Sequence, residues 1–145
     1  MKNLIKRFAP KFIFNRYHLA LAFWGALICG FPSRLRQDFG GQARKIFVLG
    51  VTGTKGKTSV VEIINVILEE AGFKTSLSNS LRFKIADESE RNFFKMTMPG
   101  RFFLQKFLKK AVRLGCQYAL IEVTSEGILQ SRHRFIDWDA ALFTN

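Results

Sequence analysis

The sequence predicts an α/β fold: a P-loop-type, mostly parallel sheet with flanking helices, preceded by an N-terminal basic and apolar helix. Three observations predict it. Apolar runs of strand length, Ile46–Leu49 and Tyr118–Val123, alternate with stretches of helical periodicity from residue 45 onward. The first run leads directly into a Gly-rich turn, Gly50-Val-Thr-Gly-Thr-Lys-Gly-Lys-Thr-Ser59, and a helix pattern follows it. The first 37 residues have a different composition, basic and then strongly apolar.

Bulk properties set the frame. A chain of 145 residues is long enough to bury a core, and 48% hydrophobic residues exclude a disordered chain. Cys29 and Cys116 are far apart without metal-ligand spacing, which fits a reducing compartment and no disulfide framework. The formal charge of +12 favours anionic partners: a membrane surface, nucleic acid or phosphorylated substrates. No nucleic-acid motif accompanies it, so nucleic acid is the minor reading.

In chain order, residues 1–37 divide into a basic amphipathic start, Lys2–Lys11, and an apolar stretch, Tyr17–Phe31. The apolar run is short for a membrane span, which needs about 20 residues. An interfacial or domain-packing helix ranks first, a membrane anchor second and a cleaved signal last. Residues 38–44 read as a polar, Gly-containing linker, and residues 45–145 as one domain. Within it, a strand is expected at 45–51 and a helix at 57–71, with Val60, Ile63, Ile64, Ile67 and Leu68 at helical spacing. A strand is expected at 73–78 and an edge strand at 81–85, followed by a polar turn at 87–92. Pro99 suits the start of an amphipathic helix, 101–114, ended by Gly115. Strands are then expected at 118–123 and 140–144.

The loop carries the chemistry. Gly53 and Gly56 let the backbone wrap an anion, and the loop N–H groups and helix N-terminus point at it. Lys57 supplies a charge for β/γ-phosphates, and the Thr58 hydroxyl is placed to ligate Mg²⁺. The strict P-loop pattern requires Gly at position 51, where Val51 stands, so a variant loop competes with a plain turn capped by Thr58. Glu122, at the end of the 118–123 strand, is the candidate carboxylate for the same Mg²⁺. The alternative is a strand-end Glu paired with a surface Lys. Glu126 is the weaker carboxylate candidate.

Val51-Thr-Gly-Thr-Lys-Gly-Lys-Thr-Ser59, Glu122-Val-Thr-Ser125 and Ala141-Leu-Phe-Thr-Asn145, in this order, resemble the central ATP-binding domain of the Mur ligases, of the tripeptide-synthetase type. Thr97-Met98-Pro99 looks like their Thr-Thr-Pro element, and Gln130-Ser131-Arg132 like their Gln-His-Arg. The resemblance covers about residues 45–145 and absorbs the irregular glycine spacing. Lys55 stands for the usual Asn, Thr124 for a Ser and Glu126 for a His. The first 44 residues do not resemble the family's uridine-nucleotide-binding domain.

The resemblance implies ATP and Mg²⁺ as cofactors and a UDP-muramoyl-peptide-like substrate. The implied reaction is amide ligation through an acyl phosphate, in the cytoplasm; separately, the basic and apolar residues 1–37 are read as a peripheral contact with the inner face of the membrane. The implied nucleotide contacts are Gly53, Thr54, Lys55, Gly56, Lys57, Thr58 and Ser59. Lys57 and Glu122 are the implied catalytic pair, and Thr58 and Glu122 the metal ligands. Thr97, Ser125 and Arg132 are implied substrate contacts. The chain is expected to be the N-terminal part of such an enzyme, truncated at Asn145 and inactive in ligation by itself. The rivals are a folylpolyglutamate- or cyanophycin-synthetase-like ligase and a non-catalytic, membrane-associated nucleotide-binding module.

Overall fold

The computed structural model describes residues 11–34, 36–38, 43–94 and 96–145. The expected basic start, Lys2–Lys11, lies outside them except for Lys11. Helix α1 spans Lys11–Cys29 and is followed by a short 3₁₀ turn, Pro32–Arg34. Strands β1 (Arg36–Asp38) and β2 (Ala43–Lys45) pair antiparallel, Arg36 opposite Lys45. Of the stretch read as a linker, 38–44, the described residues Asp38, Ala43 and Arg44 are therefore in strands. These short, polar strands carry no apolar alternation.

The main sheet has six strands in the order β6-β5-β4-β7-β3-β8. Strand β3 (Phe47–Gly53) lies between β7 (Tyr118–Glu122) and β8 (Ala140–Thr144), parallel to both. Strand β4 (Thr75–Ser78) extends the parallel set beyond β7. Strands β5 (Arg82–Ile85) and β6 (Glu88–Arg91) add an antiparallel hairpin at the edge. The polar turn expected at 87–92 is thus mostly strand β6. All four of its residues are exposed, so no buried alternation marks it in the sequence. The other expected elements are present with boundaries shifted by a few residues.

Two apolar layers hold the sheet between helices. Helix α2 (Lys57–Glu70) covers one face, where Val61, Val51, Leu77 and Leu120 form a fully buried cluster. Helix α3 (Arg101–Arg113) covers the other with Leu104, Leu108, Ala111 and Val112, against Val48, Ala119 and Ile121. Burying a side chain of this size stabilises by roughly 1.5–3 kcal/mol, so these faces fix both helices.

Helix α1 packs on α3, with Ala22, Ala26 and Cys29 buried and Gly25 against the Phe102 ring. Ser33 is fully buried, and its Oγ accepts from Asp137 N at 3.0 Å. The opposite row of α1, Tyr17, Trp24, Leu27 and Ile28, is exposed. No helix among the described residues is long and apolar enough to cross a membrane.

Ion pairs pin the α2 side. Arg82 Nη2 donates to Glu62 Oε2 at 2.5 Å, and Asn79 Nδ2 to Glu62 Oε1 at 2.8 Å. The Arg82 hydrogen bond holds the Glu62 carboxyl below its ordinary 4.5; burial pushes the other way, and Asn79 adds to the lowering. A depressed carboxylate contributes stability above its unfolded pKa and loses it as pH falls through the folded value. Urea midpoints are therefore expected to fall as pH drops below about 4.5, with a shallower fall in Glu62→Gln.

Candidate functional site

The register of the sheet assembles the site. Val51 sits opposite Glu122 on one side of β3, and Gly53 opposite Thr144 on the other. The Gly-rich turn, Glu122 and the end of β8 therefore meet at the carboxyl edge of the parallel strands, where ligands of such sheets bind.

The loop has the backbone that its glycines allow. Gly53 has φ 139° and Gly56, the residue capping α2, has φ 77°. A Cβ on Gly53 would overlap the carbonyl oxygen of Thr144. Thr144 closes that approach from its side: its Oγ1 donates to Thr52 O at 3.1 Å and to Lys55 O at 2.7 Å. Lys55 N donates to Asn145 O at 2.7 Å. Thr54, Lys55 and Ser59 are exposed along the loop. Lys57 Nζ folds back onto the loop, donating to Gly53 O at 2.8 Å and Thr54 O at 3.3 Å. This places its charge over the turn.

The start of α2 has no side-chain cap. Thr58 does not cap the helix; its Oγ1 donates to Glu122 Oε2 at 3.0 Å. That contact decides against the plain capped turn. The same oxygen accepts from Ser80 N and Ser80 Oγ, both at 3.0 Å. Thr97 Oγ1 lies 3.1 Å from Ser80 Oγ, which joins it to the cluster. Glu122 is 2% exposed, and none of the five ion pairs among the described residues includes it. A carboxylate buried without a cation is costly unless hydrogen-bonded, and here three donors meet one of its oxygens. One carboxylate beside a threonine hydroxyl suits Mg²⁺, which takes one or two carboxylates and keeps its remaining positions for phosphate and water. No group of three or more His, Cys, Asp or Glu side chains among the described residues forms an all-protein metal cage.

The other expected residues are farther out. Ser125 opens the short helix α4 (Ser125–Leu129) and is exposed. Thr124 caps that helix, its Oγ1 accepting from Gly127 N at 3.0 Å. Arg132 is half-buried. It donates from Nη2 to Gln130 Oε1 at 2.7 Å and from Nη1 to the Met98 carbonyl. Glu126 is exposed and accepts from Gln130 Nε2, away from Glu122. Sequence reasoning missed Ser80 altogether. Its only signal is position, two residues beyond the end of β4 and so beside the end of β7. Helix α4 was missed too, being too short for a periodicity.

Comparison with known proteins matches residues 51–145 to the Mur ligase middle domain. This chain belongs to that family. It is 35% identical over 107 residues to the UDP-N-acetylmuramoyl-L-alanyl-D-glutamate--2,6-diaminopimelate ligase of Geobacillus kaustophilus (strain HTA426), covering 74% of this chain and 22% of the relative. It is 32% identical over 127 residues to the UDP-N-acetylmuramyl-tripeptide synthetase of Deinococcus radiodurans, covering 87% of this chain and 24% of that one. Among solved structures it is similar to a UDP-N-acetylmuramoyl-L-alanyl-D-glutamate--2,6-diaminopimelate ligase, with a TM-score of 0.63 at 22% identity. That match covers 70% of this chain and 20% of the other, and it shows the shared Mur ligase fold. The chain thus spans about a fifth to a quarter of the length of these relatives.

The contact between Gly53 and Thr144 gives a direct check. Gly53→Ala is expected to cost about 2 kcal/mol or more in urea unfolding, because φ and space both oppose a Cβ. Gly100→Ala, where a Cβ meets nothing within 4 Å, is expected to cost only about 1 kcal/mol or less, from replacing the N-cap glycine of α3.

Proposed function

We propose that residues 45–145 are the ATP-binding domain of a Mur-type amide ligase that acts in peptidoglycan precursor synthesis, in the cytoplasm. The observation that carries it is Thr58 hydrogen-bonded to the buried Glu122 at the mouth of the Gly-rich loop. Family membership supports the reaction class, and the tripeptide-synthetase names of the relatives support a UDP-muramoyl-peptide acceptor.

In this reading the loop N–H groups from Gly53 to Ser59 and the α2 N-terminus hold the nucleotide phosphates. Lys57 leaves the Gly53 and Thr54 carbonyls and turns to the β/γ-phosphates, neutralising charge as the substrate carboxylate attacks the γ-phosphorus. ADP leaves, an amine then displaces phosphate from the acyl phosphate, and an amide results. Thr58 and Glu122 would hold Mg²⁺, which supplies charge neutralisation between the phosphates. Ser80 and Thr97 orient the Glu122 carboxylate. Arg132 and Ser125 face the acceptor substrate.

The test is nucleotide binding by the 145-residue chain. Lys57→Ala is expected to weaken binding of a non-hydrolysable ATP analogue by about tenfold or more, as loss of a charge-assisted contact does. Glu122→Gln is expected to remove the Mg²⁺ dependence of that binding and leave the metal-free affinity unchanged. Equal binding by the wild type and Lys57→Ala contradicts the proposal. No amide product is expected from the chain with ATP and a muramoyl-peptide.

The exposed row Tyr17, Trp24, Leu27 and Ile28 favours one further contact, of α1 with a membrane surface. Cell fractionation with and without residues 1–37 checks it. A shift from membrane to soluble fraction on deletion is expected, and an unchanged soluble fraction removes the idea.

A further inference from the structure

Helix α3 and the β5–β6 hairpin enclose a cavity of about 450 Å³ that includes no residue of the Gly-rich loop or of the Thr58–Glu122 cluster. Two periodicities build it. On α3, Phe103, Lys106, Phe107 and Lys110 follow i, i+3, i+4, i+7 spacing and share one face. On the hairpin, the register sets Phe83 opposite Glu90 and Ile85 opposite Glu88. Side chains directly opposite one another leave a sheet on the same face. Each wall of the cavity therefore carries apolar groups and charged groups together.

The apolar part is already formed. The Phe83 ring lies 4.6 Å from that of Phe103 and 5.9 Å from that of Phe94, and Phe94 lies 5.3 Å from Phe103. All three pairs are tilted or edge-on, which suits the ring quadrupoles. The floor is buried, with Phe107 at 5% and Ile85 at 8% exposure. The mouth is open: Phe94 is 59% exposed and Phe93 80%. Those two rings keep apolar surface in water that a bound ring would cover.

The charges at the rim do not cancel. Lys110 Nζ pairs with Glu88 at 2.5 Å. The Glu88 hydrogen bond raises the Lys110 pKa above its ordinary 10.5; desolvation opposes the rise, and the Glu90 charge adds to it. Both carboxylates of the lining thus act on one lysine. Lys106 and Arg91, the other cations of the lining, enter none of the ion pairs among the described residues. Lys106 is exposed and sits between Phe103 and Phe107 on the α3 stripe, so its ammonium has the aromatic floor beside it.

We infer that this cavity binds a small aromatic carboxylic acid, its ring against Phe83, Phe94 and Phe103 and its carboxylate on Lys106. An apolar cavity with a few convergent polar groups is the usual form of a small-molecule site, and the volume lies in the usual range of about 300–1,000 Å³. A bound ring adds one more edge-on partner to the three already in contact. The carboxylate meets a cation that no acidic side chain of the rim holds, so it displaces no ion pair.

The experiment is isothermal titration of 2-naphthoate into the 145-residue chain. Saturable binding at one site is expected, with 2-naphthamide and decanoate each bound about tenfold more weakly or less. Lys106→Gln is expected to weaken naphthoate about tenfold, with Lys106→Arg retaining most of the affinity. Phe94→Ala is expected to weaken it as well. Both positions are exposed, so unchanged urea midpoints are expected to accompany the losses. Lys109→Gln, on the same helix but outside the cavity, is expected to leave the affinity unchanged and separates a local contact from bulk charge. The tripeptide Gly-Gly-Phe tells the source of the acid: displacement of naphthoate assigns the carboxylate to a peptide end, and no displacement assigns it to a free acid. No saturable binding, equal affinity for 2-naphthamide, unchanged affinity in Lys106→Gln, or an equal loss in Lys109→Gln overturns the inference. Competition by a non-hydrolysable ATP analogue also overturns it, since that places the naphthoate in the Gly-rich loop. Failure of the ATP analogue to bind at all bears only on the loop.

Discussion

Strand β3 is hydrogen-bonded in parallel on both sides, and the candidate site depends on that double pairing. Pairing with β7 sets Val51 against Glu122, and pairing with β8 sets Gly53 against Thr144. A slip of one residue in either ladder would turn the side chains to the opposite face. It would take Glu122 from Thr58 and remove the Thr144 contacts that brace the loop. The apolar layers under α2 and α3 resist such a slip, because Val48, Val51, Ala119, Leu120 and Ile121 are all fully buried in the present register. Packing energy on both faces is thereby converted into precision at one edge.

The same edge shows why the loop tolerates Val51. The residue is a core side chain of the α2 layer, fully buried with Val61, Leu77 and Leu120. Close approach is needed two positions later, at Gly53, where β8 crosses the turn. The irregular glycine spacing follows from where the backbone is crowded.

Charge is distributed by a similar economy. Five of the acidic residues, Glu62, Glu69, Glu88, Asp137 and Asp139, form ion pairs that tie helices or the β2–β3 segment to neighbouring elements. Glu122 is kept for the loop, and Glu126 is left among arginines at the α4 turn.

The sequence by itself determined the order of strands and helices, the Gly-rich loop and the pairing of Thr58 with Glu122 as a hypothesis. These are local: strand-length apolar runs, helical periodicity and glycines at a turn are written in consecutive residues. Ser80 and Thr97 at Glu122, the β1–β2 ribbon, strand β6 and the packing of α1 on α3 were decided by tertiary structure. Ser80 reaches Glu122 because β4 pairs with β7, a contact across 42 residues that leaves no pattern in either segment. Strand β6 forms because β5 offers it an edge, although its own residues bury nothing. Phe83 and Phe107 line one cavity only because α3 lies across the β5–β6 hairpin. Local chemistry chose the elements, and long-range pairing and burial chose which side chains meet.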